Sequence, residues 1–264
     1  MAGIQTILVI DSGLGGLTVL REVVKARPDA RYVYVADDAF FPYGHHDEDE
    51  IVARVVPLVG DLIARHAPDL IVIACNTMSV SVLAPLRATY SVPFVGTVPA
   101  IKPACAASTT KRVSVLGTRA TVKREYTQGL IRDHAQACTV TLVGAANLAS
   151  LAEDALRGKP ISDADIFGEI APCFVPATEA HGRTDAVVLA CTHYPLLLNR
   201  LIALAPWPVA WIDPAPAIAR RVVDLLGPDS NDVHDYPPEM IFTSGRTHAL
   251  ADVLAPFFGG RVPA

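Results

Sequence analysis

Two cysteines of this chain stand in the same local setting. Asp69-Leu70-Ile71-Val72-Ile73-Ala74-Cys75 leads into Asn76-Thr77, and Asp185-Ala186-Val187-Val188-Leu189-Ala190-Cys191 leads into Thr192-His193. Both read D-x-x-V-x-A-C followed by polar residues. A free cysteine is commonly a small buried apolar residue, and that reading suffices for Cys105, Cys138 and Cys173. Cys75 and Cys191 differ because each ends a buried strand and directly precedes polar groups. A loop entering a helix N-terminus supplies N–H donors and a positive dipole, which favour a thiolate and bind a carboxylate.

Two such sites point to one small substrate between two thiols, and a symmetric site points to a symmetric reaction. A thiolate removes the α-proton of an amino acid from one face while the opposing thiol delivers a proton to the other, and the roles reverse for the other enantiomer. An amino-acid Cα–H is a far weaker acid than a thiol, whose reference pKa is about 8.5. Orientation, N–H donors on the α-carboxylate and exclusion of water must close that gap. A pyridoxal cofactor is the other route to the same chemistry; no lysine here carries an obvious motif for it, and no cofactor is expected.

Further candidates surround these two. Asp11-Ser12-Gly13-Leu14-Gly15-Gly16 follows a strand, but Thr18 occupies the third glycine place of G-x-G-x-x-G, and no P-loop is present. The loop is either a tight turn with a helix cap or a grip in which Asp11 and Ser12 hold a substrate ammonium. Phe41-Pro42-Tyr43-Gly44 reads as a turn whose backbone N–H groups could meet a carboxylate. Asp47-Glu48-Asp49-Glu50 is charge at a helix N-terminus, and His45-His46 is solvated loop. His193 is either a satisfied core histidine or a partner of the Cys191 thiol. Glu153 reads first as an exposed helix charge and second as a supporting partner of the site.

The elements that must hold these residues alternate. Short Val/Ile/Leu runs at 7–10, 32–35, 70–74, 113–116, 139–143, 186–190, 209–212 and 240–243 are separated by stretches of helical periodicity, including 48–66 and 214–226. Continuous apolar runs are expected of strands covered on both faces. The fold class is therefore α/β, with two similar open-sheet lobes of mostly parallel strands related by a pseudo-twofold axis, and the active site in the cleft between them. The first lobe is expected over 1–98 and 207–264, with strand 209–212 returning to it, and the second over 99–206.

Composition narrows the class. Half of the 264 residues are apolar and the formal net charge is −5, so no general attraction to nucleic acid or anionic lipid is expected. The uncharged stretch Leu70–Leu86 contains Asn76, Thr77, Ser79, Ser81 and Pro85, which suits a buried strand entering a helix and not a membrane span. Five widely spaced cysteines without a C-x-x-C pair indicate neither disulfides nor a metal site. The N-terminus enters Ile7-Leu8-Val9-Ile10 without a signal-peptide pattern, so a cytoplasmic location is expected.

Ile10-Asp11-Ser12-Gly13-Leu14-Gly15-Gly16, Pro42-Tyr43-Gly44, Ala74-Cys75-Asn76-Thr77, Gly117-Thr118 with Thr121, Ala190-Cys191-Thr192-His193-Tyr194-Pro195, and Asp213 with Ala217-Ile218-Ala219 together resemble the glutamate racemases over almost the whole chain. The resemblance implies a two-lobed, cofactor-independent enzyme that interconverts L- and D-glutamate, supplies D-glutamate for peptidoglycan, and works as a homodimer. By motif position it implies Cys75 acting on the D-enantiomer and Cys191 on the L-enantiomer. Asp11, Ser12, Tyr43, Gly44, Asn76, Thr77, Thr192 and His193 would contact substrate, with Thr118, Thr121 and Glu153 supporting. The chain departs from the pattern in carrying Asp37-Asp38 where Asp-Thr is frequent, and Phe40-Phe41 where a more polar approach is common. It also starts without the N-terminal extension of relatives that respond to a cell-wall precursor, so that activation is not implied. The alternatives are an aspartate, hydantoin or maleate enzyme of the same two-cysteine superfamily and a non-catalytic binding protein for a small acid. His193 favours glutamate, since aspartate racemases of this type tend to carry an acidic residue there.

Overall fold

A computed structural model describes residues 4–179, 182–230, 236–246 and 251–264. Among the described residues nine strands form two sheets. β1 (Thr6–Asp11), β2 (Arg31–Ala36), β3 (Leu70–Ile73), β4 (Phe94–Gly96) and β9 (Glu239–Phe242) form one, in the order β4-β3-β1-β2-β9. β5 (Arg112–Thr118), β6 (Thr139–Ala145), β7 (Ala186–Ala190) and β8 (Ala210–Ile212) form the other, in the order β6-β5-β7-β8. Every pairing is parallel. The central strands β1, β3 and β7 are buried throughout, as their unbroken apolar runs require.

The chain divides into one unit of Met1–Thr97 with Ala215–Ala264 and another of Val98–Pro214. Within each, the first four strands in chain order adopt the same arrangement, second-first-third-fourth. The first strand therefore has its successor on one side and the third strand on the other. This is a topological switch point, where the loops after strands one and three diverge and leave a crevice at the carboxyl ends. Asp11 and Cys75 occupy those two ends in the first unit, Thr118 and Cys191 in the second.

One expectation is corrected. Strand 209–212 does not return to the first sheet: Ala210, Trp211 and Ile212 pair with Ala186, Val187 and Val188 of β7. Together with the preceding helix Leu198–Leu204 it completes a short strand-helix-strand crossover, and short connections keep sequential strands adjacent. Pro206-Trp207-Pro208 is thus a turn inside the second unit, and the chain leaves that unit after Pro214. The strand Phe94–Gly96 carried no signal of its own, because only Phe94 and Val95 stand between Pro93 and Gly96.

Helices that position the first unit's residues follow from local sequence. α1 (Leu17–Ala26) buries Leu17, Leu20, Val23 and Val24 on one face. α2 (Glu48–His66) starts on a capping box, in which Asp47 Oδ1 accepts from Glu50 N at 2.9 Å and Glu50 Oε2 accepts from Asp47 N at 3.1 Å. It buries Ile51, Val55, Val59 and Leu62 at helical spacing. α3 (Asn76–Thr89) begins directly after Cys75. No helix among the described residues is long and apolar enough to cross a membrane.

Candidate active site

In the first unit Cys75 is the N-cap residue of α3, and its sulfur accepts from Met78 N at 3.5 Å. An ordinary cap uses an oxygen; here a sulfur sits where N–H donors and the helix dipole favour negative charge. The thiol also approaches Ser12 Oγ at 3.9 Å and is almost fully buried. Asn76 and Thr77, the first residues of α3, are buried beside it. Both polar atoms of the Asn76 amide are sealed from solvent and have no hydrogen-bond partner within the described protein. Such a group costs roughly 1–3 kcal/mol when left unsatisfied, so its presence at a strand end marks a place for a polar ligand.

Asp11 is fully buried at the end of β1, and its Oδ2 accepts from Gly16 N at 2.6 Å. The Tyr34 hydroxyl donates to Gly13 O at 2.8 Å, so the glycine loop is pinned from both sides. A Cβ at position 16 would lie 2.7 Å from Asp11 Cβ and 3.0 Å from Ala74 Cβ. The loop is thus a tight turn held by Asp11, and the grip on an ammonium would use the same carboxylate.

Tyr43 and Gly44 lie on a single 3-10 turn, Tyr43–His45. The tyrosine is buried in the same apolar cluster as Cys75, and its hydroxyl donates to Asp37 Oδ2 at 2.5 Å. Phe40 stands edge-on to Tyr43 with ring centres 5.4 Å apart and stacks on His46 at 3.7 Å. His46 is therefore half-buried against an aromatic ring and not simply solvated, because the Phe40-Phe41 departure supplies the apolar surface it covers. Asp38 accepts from Ser244 N at 2.9 Å and Ser244 Oγ at 2.5 Å, which ties it to the turn after β9.

The second unit surrounds its cysteine differently. Cys191 does not cap an α-helix: it enters a turn and the 3-10 segment Tyr194–Leu197, where Pro195 favours the tight start. In place of a helix N-terminus the sulfur has His193, whose Nδ1 is 3.8 Å away. His193 Nε2 lies 3.1 Å from Glu153 Oε1, and Glu153 Oε2 accepts from Arg157 Nη2 at 3.1 Å. Glu153, on the helix Leu148–Leu156, is thus buried and engaged; the exposed-charge reading fails because that face of its helix packs on the Cys191 turn. Thr192 is buried next to Cys191. Tyr194 is wholly buried too, and burial, then the neighbouring Cys191, pushes its phenol well above the ordinary value. Thr118 caps the short helix Arg119–Lys123, accepting from Thr121 N at 3.1 Å, and the two threonine hydroxyls are 3.0 Å apart.

The structure thus gathers Asp11, Ser12, Tyr43, Gly44, Cys75, Asn76 and Thr77 at one sheet's carboxyl ends. It gathers Glu153, Cys191, Thr192 and His193 around the end of β7 in the other unit, with Thr118 and Thr121 at the end of the adjacent β5. What sequence reasoning missed is Asp37 with its partners Arg54 and Thr243, and Tyr194 beside Cys191. Among the described residues no group of three His, Cys, Asp or Glu side chains is placed to hold a metal ion.

The chain is similar to known proteins over nearly its whole length. The family model for Asp/Glu/Hydantoin racemase matches residues 7–222. A glutamate racemase of Brucella canis is 52% identical over 261 residues, covering 97% of this chain and 93% of its own, and one of Brucella anthropi is 55% identical over 243 residues, covering 91% and 87%. The crystal structure of Escherichia coli glutamate racemase in complex with L-glutamate and the activator UDP-MurNAc-Ala matches with a TM-score of 0.86 and 36% identity, over 99% of this chain and 96% of that one. Glutamate racemase from Aquifex pyrophilus matches with a TM-score of 0.73 and 27% identity over 98% and 97%. With a matched region that spans both cysteines and both switch points, this chain belongs to the Asp/Glu/Hydantoin racemase family of isomerases.

Proposed function

We propose that this chain interconverts L- and D-glutamate without a cofactor, with Cys75 and Cys191 as its two acid/base thiols. The observation that carries the reading is that each cysteine follows the third of four strands that share one order in the two sheets, and each has its own means of handling a proton. Cys75 has the N-terminus of α3 and Ser12; Cys191 has the His193–Glu153 pair.

In the L-to-D direction the Cys191 thiolate takes the α-proton and the Cys75 thiol supplies one to the opposite face. In the D-to-L direction the roles exchange, and no net proton is consumed. His193, oriented by Glu153, accepts the Cys191 proton to form the thiolate. Met78 N–H and the α3 dipole stabilise the Cys75 thiolate. The substrate fills the polar gap at Asn76, with Asp11 and Ser12 toward its ammonium, Thr77 and Thr192 among its contacts, and the Tyr43-Gly44 turn toward its far carboxylate. Thr118 and Thr121 support from the end of β5. The role that fits is supply of D-glutamate for peptidoglycan by a cytoplasmic homodimer.

Incubation of the purified protein with L-glutamate in D2O, read by chiral chromatography and α-deuterium content, tests this. Formation of D-glutamate with solvent deuterium at Cα is expected; no turnover of glutamate, or faster turnover of aspartate, would overturn the assignment.

A further inference from the structure

Across the first sheet the carboxyl ends of β9, β2, β1 and β3 carry Thr243, Asp37, Asp11 and Cys75 in that order. Asp37 is the most heavily engaged of the four. Its side chain is fully buried and accepts four hydrogen bonds: from Arg54 Nη2 at 2.6 Å and Arg54 Nε at 3.0 Å, from Thr243 Oγ1 at 2.5 Å, and from Tyr43 Oη at 2.5 Å. Burial alone would push this carboxyl up, but Arg54, Thr243 and Tyr43 outweigh it and hold the group below the usual carboxylate range. Burial and then Asp37 push the Tyr43 phenol far up, so it stays a hydroxyl that donates to Asp37.

These donors come from far apart in the chain, α2 for Arg54 and the segment after β9 for Thr243. Backbone pairing of β2 with β1 and β9 holds the sheet itself, and Asp37 adds a link from its end to α2, to the segment after β9 and to the Tyr43–His45 turn. Three of its four bonds fix the carboxylate, and the fourth fixes Tyr43. The Tyr43 hydroxyl is thereby committed to Asp37, and what the turn can offer a ligand is backbone N–H beside the Cys75 cluster.

We propose that Asp37, clamped by Arg54 and Thr243, is a positioning residue that sets substrate length. Through Tyr43 it fixes where the Tyr43-Gly44 backbone meets the far carboxylate, and so which dicarboxylic amino acid places its Cα at the Cys75 sulfur. This inference rests on the glutamate reading. A misplaced reacting centre loses rate steeply, on the order of 100-fold per ångström, so a turn freed to shift by a fraction of that distance relaxes the distinction between glutamate and its shorter homologue.

Tyr43→Phe, Asp37→Asn, Arg54→Ala and Arg54→Lys, assayed for kcat and KM on glutamate and aspartate with melting temperatures measured in parallel, test it. Tyr43→Phe removes a single oxygen and should raise KM for glutamate about 5–10-fold with kcat within about 2-fold, the signature of lost binding and not of lost chemistry. The glutamate-to-aspartate ratio of kcat/KM should fall about tenfold, and Arg54→Lys should lie between wild type and Arg54→Ala. A lowered melting temperature with KM and that ratio unchanged in Tyr43→Phe would reduce the network to a structural one and overturn the proposal, whether or not Asp37→Asn folds. Wild-type protein inactive on glutamate would overturn the functional reading and this inference together; active wild type with an unmoved ratio would overturn this inference alone.

Discussion

His193 stands between Cys191 and Glu153, with Nδ1 3.8 Å from the sulfur and Nε2 3.1 Å from Glu153 Oε1. A carboxylate that accepts from Nε2–H leaves Nδ1 as the acceptor that faces the thiol. Glu153→Gln can still accept through its carbonyl oxygen but no longer stabilises an imidazolium. Turnover should fall at least about tenfold, and His193→Asn should cost roughly 100-fold, the usual scale for a lost acid/base group. The loss in kcat should be greater for L-glutamate as substrate, because that direction begins with the Cys191 thiolate, whereas kcat/KM must fall equally for both enantiomers because they are equal in energy. Equal losses in kcat, measured from initial rates at saturating concentrations of each enantiomer, would count against the pairing.

Asp185 begins the second D-x-x-V-x-A-C segment yet lies at the far end of β7 from Cys191, roughly 20 Å along a strand of that length. It accepts from Ser108 Oγ at 2.5 Å, Thr109 N at 2.7 Å, Thr109 Oγ1 at 2.8 Å and Thr110 N at 2.9 Å. Burial pushes its carboxyl up, but these donors outweigh it and hold the group well below the ordinary range. A folded-state pKa below the unfolded value of about 3.9 gives stability that is present above that value and lost as pH falls through the folded one. Asp185→Asn should therefore destabilise by roughly 1–2 kcal/mol at pH 7, discounted for partial exposure, with kcat and KM retained. Urea titrations should show the gap to wild type closing below about pH 4; a gap independent of pH would refute the assignment.

The same residue shows what the sequence could and could not convey. The echo of Asp69 and Asp185 signals two related segments, but its physical content is local: Asp69 Oδ2 accepts from Thr6 N at 2.7 Å, as Asp185 does from 108–110, so each aspartate fastens the start of a cysteine-bearing strand. Parallel strands leave continuous apolar runs where they are buried, as β1, β2, β3, β5 and β7 are, and the half-exposed β6, β8 and β9 still carry short runs, so eight of the nine strands among the described residues were legible. β4 left no run because Pro93 and Gly96 bracket only two apolar residues, and the run of β8 announced a strand without saying which sheet edge it joins. Both cysteines were readable from the repeated segment, but the helix N-terminus expected after each follows only Cys75, because Cys191 precedes Pro195 and a tight turn. Sequence put the supporting role of Glu153 second and showed Asp37 only as part of a departure from the family pattern, since His193 and Thr243, which give them meaning, are 40 and 206 positions away.

The five cysteines should separate by reactivity. Burial pushes the Cys173 thiol up to about 12, and burial with the neighbouring Cys138 does the same to Cys105. At pH 8 only about one part in 10⁴ of such a thiol is thiolate, and thiolate is the species that alkylates. Native protein treated with iodoacetamide should be labelled at Cys75 ahead of Cys173 and Cys105, with activity lost in step, and L-glutamate should slow both. Peptide mapping that finds Cys173 modified as fast as Cys75 would contradict the role given to the α3 N-terminus.

The requirement for two thiols can be tested apart from overall turnover. Inversion needs one proton removed and another supplied on the opposite face, so Cys75→Ala and Cys191→Ala should each abolish racemisation in both directions. Each single variant nevertheless keeps one base. With Cys191 replaced, Cys75 retains its Met78 N–H and Ser12 contacts, and the protein should exchange the α-proton of D-glutamate with retention of configuration while leaving L-glutamate inert. With Cys75 replaced, the His193–Glu153 pair still serves Cys191, and exchange should be confined to L-glutamate. Cys173→Ala is the control: it is buried in the apolar cluster of its own unit, so it should cost stability of about 1 kcal/mol without altering exchange. Proton NMR of each pure enantiomer in D2O reads every variant. Dialysis against chelator and hydroxylamine beforehand should change none of them if the chemistry belongs to the thiols alone. Substantial racemisation by either alanine variant would mean that a single base serves both faces, and His193, already within reach of the Cys191 sulfur, would be the group to replace next.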